Sequence, residues 1–240
     1  MNTSSNVSGL ILKSKQEFKA EEFNYDLSET NRDIGTILKE LKIKPYQRIN
    51  ITLKEGNYLW NEYYNMPEKS FISLIGEKYQ NGGKNNKVSI MINKENIVER
   101  EGVQYSNPVK LRISRDSTAE IIGIDFIERI QKTKKNDPGY MGIFQLSGDN
   151  SRLYFAQTVT ESTNSPFIHI YGWTVGRILF GHSFFHKSPK STEQKILILS
   201  TETGWGFGGS KAIVSLTNYS HTPNEECYFD KENKNIEYII

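Results

Sequence analysis

The chain has 240 residues, 36% hydrophobic and 12% aromatic, enough apolar material for one large domain or two small ones and too much for a disordered chain. Its formal charge is +2, so no strong field draws it to nucleic acid or an anionic membrane. A single cysteine, Cys227, excludes an intramolecular disulfide and reads as an inert, partly buried thiol.

The opening, "MNTSSNVSGLILKSKQEF", has no basic segment followed by a long apolar core. "GLIL" is too short for a signal peptide, and no later run approaches the roughly 20 apolar residues of a membrane span. The expectation is a chain without an export signal and without membrane insertion. It would work in a virion or an extracellular particle, or else in the cytoplasm. Residues 1–29 read as an N-terminal extension.

Helix periodicity follows in "TNRDIGTILKELKI", within 30–44. Thr30 or Asn31 is placed to cap it and Asp33 favours its first turn. Ile34, Ile37, Leu38 and Leu41 form one apolar stripe, and Pro45 ends it. From 45 to 220 the pattern is β. "RINITL", "SFISLIG" and "KVSIMIN" are short Ile- and Val-rich runs separated by polar and glycine-rich loops. Residues 221–240 read as a C-terminal tail or cap.

Four similar units follow: "KLRISRDSTAEIIGIDFIE", "IFQLSGDNSRLYFAQTVTE", "FIHIYGWTVGRILFGHSFF" and "ILILSTETGWGFGGSKAIVSLTN". Their first-strand anchors are Leu111/Ile113, Phe144/Leu146, Ile168/Ile170 and Leu197/Leu199. Their second-strand anchors are taken as Ile124/Phe126, Leu153/Phe155, Ile178/Phe180 and Val214/Leu216. Ile113, Leu146, Ile170 and Leu199 are spaced by 33, 24 and 29 residues. Imperfect recurrence on this scale, without intervening helices, predicts stacked coils around one apolar column. A β-sandwich is the alternative.

The helix "DIGTILKEL" followed by "INITLKEGNY" and "FISLIGE", with the rung-like "IIGIDF", resembles the pectin-lyase-like superfamily. The likeness spans most of residues 30–220. It implies an all-β, right-handed parallel β-helix with an N-terminal capping helix, of the kind found in phage tail-spike and tail-fibre proteins. The pectinesterase active-site run Gly-Tyr-Gln-Asp-Thr-Leu is absent, so that reaction is not implied.

Aligning the units gives three columns. Glu128, Gln157, His182 and Asn218 read as a polar ladder at a strand-to-turn corner, with catalysis by His182 and Glu128 the minor alternative. Asp116, Asp149, Trp173 and Glu202 fall in the turn after the first strand. Backbones on adjacent coils lie about 5 Å apart. Paired carboxylates at such spacing suit a glycosidase, although Asp is also a common turn residue. Arg112, Gln145 and His169 form an outward strip that either meets a ligand or is simply solvated.

His182 and His186 lack a third ligand, so no metal is expected, and "TGWGFGGSK" lacks the order of a phosphate loop. No cofactor is expected. Trp60, Tyr63, Tyr64, Trp173, Phe184, Phe185, Trp205 and Phe207 lie in loops, either as a ligand surface or as a satellite core. The basic loop holding Lys132, Lys134 and Lys135 reads as a solvated turn, or as an attractor of acidic glycan.

Two functions follow. One is a glycan-binding module of a phage or prophage tail fibre or spike, recognising a bacterial surface polysaccharide through Trp173, Trp205, His169, Arg112 and Glu202, with a homotrimer as a further expectation. The other is a polysaccharide hydrolase or lyase using Asp116 and Asp149. A third, purely structural stacking role is also open.

Overall fold

The structure, a computed structural model, describes residues 21–27, 32–77, 86–131, 142–162, 166–181, 184–187, 197–199, 209–217, 220–221 and 234–239. The elements are β1 (Glu21–Leu27), α1 (Ile34–Glu40), β2 (Gln47–Leu53), β3 (Gly56–Leu59), β4 (Tyr64–Asn65), β5 (Phe71–Gly76), β6 (Val88–Ile92), β7 (Asn96–Arg100), β8 (Val103–Asn107), β9 (Leu111–Ile113), β10 (Thr118–Ile122) and β11 (Asp125–Glu128). There follow β12 (Phe144–Ser147), β13 (Arg152–Ala156), β14 (Val159–Ser162), β15 (Ile168–Tyr171), β16 (Val175–Gly181), β17 (Phe184–Lys187), β18 (Leu197–Leu199), β19 (Lys211–Thr217), β20 (Ser220–His221) and β21 (Ile236–Ile239).

A strand cannot reach a parallel neighbour through a tight turn, so the chain must travel before it returns. Between β2 and its partner β5 it passes through β3 and β4, each in a different sheet. This visiting order repeats. The large sheet runs β1-β2-β5-β10-β13-β16-β19-β21, the second β20-β17-β14-β11-β6-β3 and the third β18-β15-β12-β9-β4. Every pairing within these three sheets is parallel. The antiparallel pair β7–β8 stands apart as a hairpin. The fold is all-β with parallel sheets, which is not the pairing of an antiparallel sandwich. The large sheet also reaches beyond 45–220: β1 pairs with β2, and β21 with β19.

Side chains alternate across each strand, and one face is apolar. In the large sheet Ile49, Ile72, Ala119, Leu153, Ile178 and Val214 are in register and buried. In the third sheet the buried row is Tyr64, Leu111, Phe144, Ile168 and Leu197. Each buried Ile, Leu or Phe contributes about 1.5–3 kcal/mol. Aromatic rings fill the centre. Phe155 stacks on Phe180 with centroids 5.4 Å apart, and Phe144 meets Phe167 and Trp60 edge-on at 5.1 and 5.7 Å. Trp60 is 0% exposed and Tyr64 is buried, so these two belong to the core and not to a ligand surface.

The first-strand anchors pair as expected. One second-strand anchor pair does not. Leu153 and Phe155 face Ala119 and Ile121, while Ile124 precedes β11 and Phe126 lies in it, in the second sheet. The unit has three strands, and the sequence pattern merges two of them, β10 and β11. Glu128 therefore leaves the polar ladder. It pairs with Ile92 and is fully buried, accepting from Ile130 N at 2.5 Å. The residue beside Gln157 is Gly123, whose N–H donates to Ala156 O. His182 and Asn218 lie outside the described residues.

The cap of α1 is Asp33, which accepts from Thr36 N at 3.1 Å. It also takes Asn61 N at 2.5 Å and Glu62 N at 3.3 Å, fastening α1 to the β3–β4 connection. Ile34, Ile37 and Leu38 are buried in the common core. At Gly35 a Cβ would lie 2.0 Å from Glu62 O, so only glycine permits this approach.

Candidate functional site

The turns leading from the third sheet into the large sheet gather the expected carboxylates. Register on β9 and β12 carries through the turn: Asp116 N donates to Asp149 O at 3.0 Å. Asp116 and Asn150 have φ of 57° and 60°, left-handed conformations that Asp and Asn tolerate in turns. Asp149 is exposed and Asp116 half-buried. Asn150 Nδ2 donates to Asp116 Oδ1 at 2.9 Å, and Asn150 Oδ1 accepts from Arg152 Nη2 at 2.7 Å. Asp116 is thus tied by an amide to an arginine that opens the next strand.

Trp173 sits in the equivalent turn of the next unit and is 73% exposed. Its ring lies against Gly209: a Cβ there would come within 2.2 Å of it, and Gly209 has φ of 110°. The indole is therefore open on one side and supported on the other. The chain below it is pinned as well, with Thr174 Oγ1 accepting from Gly148 N at 2.6 Å.

Four outward residues that sequence reasoning missed continue this surface. Arg152 and Arg177 are direct partners on β13 and β16, and Tyr154 pairs with Glu120 on β10. Burial pushes the Tyr154 hydroxyl above its ordinary range; Arg152 and Arg177 pull it back and Glu120 adds to the rise, so all three act on one phenol. Ser73 Oγ donates to Glu120 Oε2 at 3.1 Å. The only signal in the sequence was outward parity on the second strand, legible once the register is known.

The strip of Arg112, Gln145 and His169 is in register, but it is not solvated. Gln145 and His169 are 0% exposed, with Gln145 Nε2 and His169 Nδ1 3.3 Å apart. Burial lowers the His169 pKa to about 3, which keeps the ring neutral. His169 therefore offers nothing to a soluble ligand. Arg112 is half-buried; it donates to Ser147 Oγ at 2.7 Å and lies 5.8 Å from the Tyr171 ring centroid.

A second unforeseen group lies under the opposite corner. Lys110 is 0% exposed, and its Nζ donates to Asn61 O at 2.7 Å. Burial lowers its pKa to about 8, against the pull of Asp33, Glu62, Glu95 and Glu128. Being sealed, it serves the fold and not a substrate.

Trp205, Phe207, Glu202, Cys227 and Lys132, Lys134 and Lys135 lie outside the described residues. Among the described residues no group of three His, Cys, Asp or Glu is placed to hold a metal ion, and no helix is long and apolar enough to cross a membrane. Comparison with protein-family models, with curated proteins and with solved structures finds no match to this chain.

Proposed function

We propose that the three-sheet visiting order is a right-handed parallel β-helix capped by α1, and that its turn corner carries a glycan-binding surface. The observation that carries the binding reading is Trp173. An indole that is 73% exposed yet backed by Gly209 is a prepared stacking platform for a sugar ring. A flexible exposed tryptophan would have to be ordered on binding; this one is already held. In this reading the chain is part of a phage or prophage tail fibre or spike directed at a bacterial surface polysaccharide, on a virion or similar particle, and associates as a trimer.

The test is a glycan array with the wild type and Trp173→Ala. Binding that is lost in the variant, with no new reducing ends, supports a binding module. Retained binding overturns it. Molar mass in solution checks the trimer.

A second reading, a polysaccharide hydrolase, is favoured by one observation: Asp116 and Asp149 are neighbours through a 3.0 Å backbone hydrogen bond. Reducing-end release that stops in Asp116→Asn or Asp149→Asn supports it. Intact polysaccharide after prolonged incubation excludes it for the glycans tried.

A further inference from the structure

Arg152 and Arg177 face outward from directly paired positions on β13 and β16. Parallel strands are about 4.8 Å apart, and like charges directly opposite are destabilising. The in-register neighbours on either side, Thr118 and Ile213, carry no charge. The side-chain ion pairs among the described residues, Arg32–Glu40, Lys39–Glu62 and Lys54–Glu77, include neither arginine. Arg152 is held only by a neutral amide, Asn150, and Arg177 is exposed. The carboxylates of this region are engaged by neutral groups, Glu120 by Ser73 and Asp116 by Asn150, and among the described residues they form no ion pair with either arginine. Two guanidinium groups on paired positions then offer a site for an anion, and their planar forks suit an acidic group with several oxygens.

This pair lies on the same corner as the exposed indole. Asn150, which holds Arg152, follows Asp149, the residue aligned with Trp173 through β12 and β15. Trp173 lies in the turn and Arg177 in the strand four residues on, a separation of at most about 13 Å of chain, which leaves room for a ring on the indole and the acidic group of a neighbouring unit at the arginines.

We propose that this corner binds an anionic oligosaccharide of at least two units, one ring on Trp173 and the acidic substituent of a neighbouring unit between Arg152 and Arg177. The inference rests on the glycan-binding reading and narrows it to acidic polymers. The anion offsets the repulsion within the arginine pair, so charge gives affinity and the indole gives selectivity for sugar.

The full chain is applied to an array of bacterial polysaccharides with neutral, uronate-, sulfate- and phosphate-bearing members, with poly-glutamate as a sugar-free polyanion. The expected result is binding to acidic members, with the arms showing which acid is preferred. Binding should weaken at least tenfold in the Arg152→Gln/Arg177→Gln double variant and tenfold in Trp173→Ala, with a shallower salt dependence only in the former. Without ligand, the double variant should melt close to the wild type, since removal of the like-charge contact offsets the lost Asn150–Arg152 hydrogen bond; this separates lost binding from lost folding. Binding of neutral glycans that needs Trp173 but not the arginines overturns this inference and leaves the glycan-binding reading standing. Absence of all glycan binding overturns both. Equal binding of poly-glutamate, or acidic binding unchanged in the double variant, overturns the proposed grip.

Discussion

Substitution of Lys110 by methionine tests whether a buried cation is a cost that the core tolerates. The pKa of Lys110 falls from 10.5 to about 8 on burial. Between these values the unfolded chain binds more protons than the folded one, so stability rises with pH. Integrating the two titrations, the folded state should gain about 2 kcal/mol between pH 7 and pH 9.5 from this group alone. The window stops short of the tyrosines. Tyr58 and Tyr64 have raised pKa values, Tyr64 to about 12, and they lower stability only above their ordinary value of 10. In Lys110→Met the gain disappears. At pH 7 the variant escapes a desolvation penalty of about 3 kcal/mol but leaves Asn61 O without its donor, at about 1–3 kcal/mol, so its net stability should differ little from the wild type. Urea unfolding at both pH values, with the slope checked for constancy, measures the difference. If the wild type and Lys110→Met gain equally between pH 7 and 9.5, the lysine is not desolvated as described.

His169 should give a rise of stability with pH of the same sign, on the acid side. With its pKa lowered to about 3, stability is full above its ordinary value of 6.5 and falls as pH drops; about 2 kcal/mol should be lost between pH 7 and 5 from this group, and His169→Gln should remove that share in the same urea assay. Asp33→Ala removes the helix cap and the acceptor for Asn61 N and Glu62 N; a loss of about 2–3 kcal/mol in thermal or urea unfolding is expected, more than a simple cap. Gly209→Ala drives a methyl into the Trp173 ring and should shift the tryptophan emission and weaken glycan binding about as much as Trp173→Ala, while unchanged emission would show that the ring is not held there. Phe155→Ala opens a cavity beside Phe144, Phe167 and Phe180 and should cost about 3–5 kcal/mol.

The register of the third sheet could be read from sequence because its strands are short, apolar and each followed by a polar turn. Leu111, Phe144, Ile168 and Leu197 align without a gap. The large sheet was harder. In "STAEIIGIDFIE" two strands are separated only by Gly123 and Ile124, and the stronger apolar pair, Ile124 and Phe126, drew the alignment away from Ala119 and Ile121. An alanine that faces the core gives little periodic signal. At the site, Asp116, Asp149 and Trp173 follow the legible strands and fell into one column. Arg152 and Arg177 immediately precede Leu153 and Ile178, anchors that align correctly in the sequence, so their pairing was legible there; only the turn columns directed attention elsewhere. The burial of His169 was invisible for another reason: alternation shows which way a side chain points from its own sheet, not what covers that face.

The contrast between the two outward ladders explains where binding belongs on this fold. Parallel, in-register strands bring equivalent side chains together about 4.8 Å apart, so any polar residue repeated on neighbouring units must be compatible with its own kind. Gln145 beside His169 satisfies this internally: both are neutral, and they lie within hydrogen-bonding distance and are sealed from water. That ladder carries no charge to be offset. Arg152 beside Arg177 does, because no rotation of either side chain removes two positive charges from neighbouring strands. Like charges on paired surface positions, joined to no carboxylate by an ion pair among the described residues, are an arrangement that a ligand improves and that folding alone does not. The same reasoning puts the indole where it is. In the turns, units differ in length: between the paired positions Ser147 and Arg152 lie residues 148–151, whereas between Tyr171 and Arg177 lie residues 172–176. The extra residue lets Trp173 stand out from the column without disturbing the strands on either side. The repeating strands hold the spacing, and this longer turn supplies the group that no ladder position exposes.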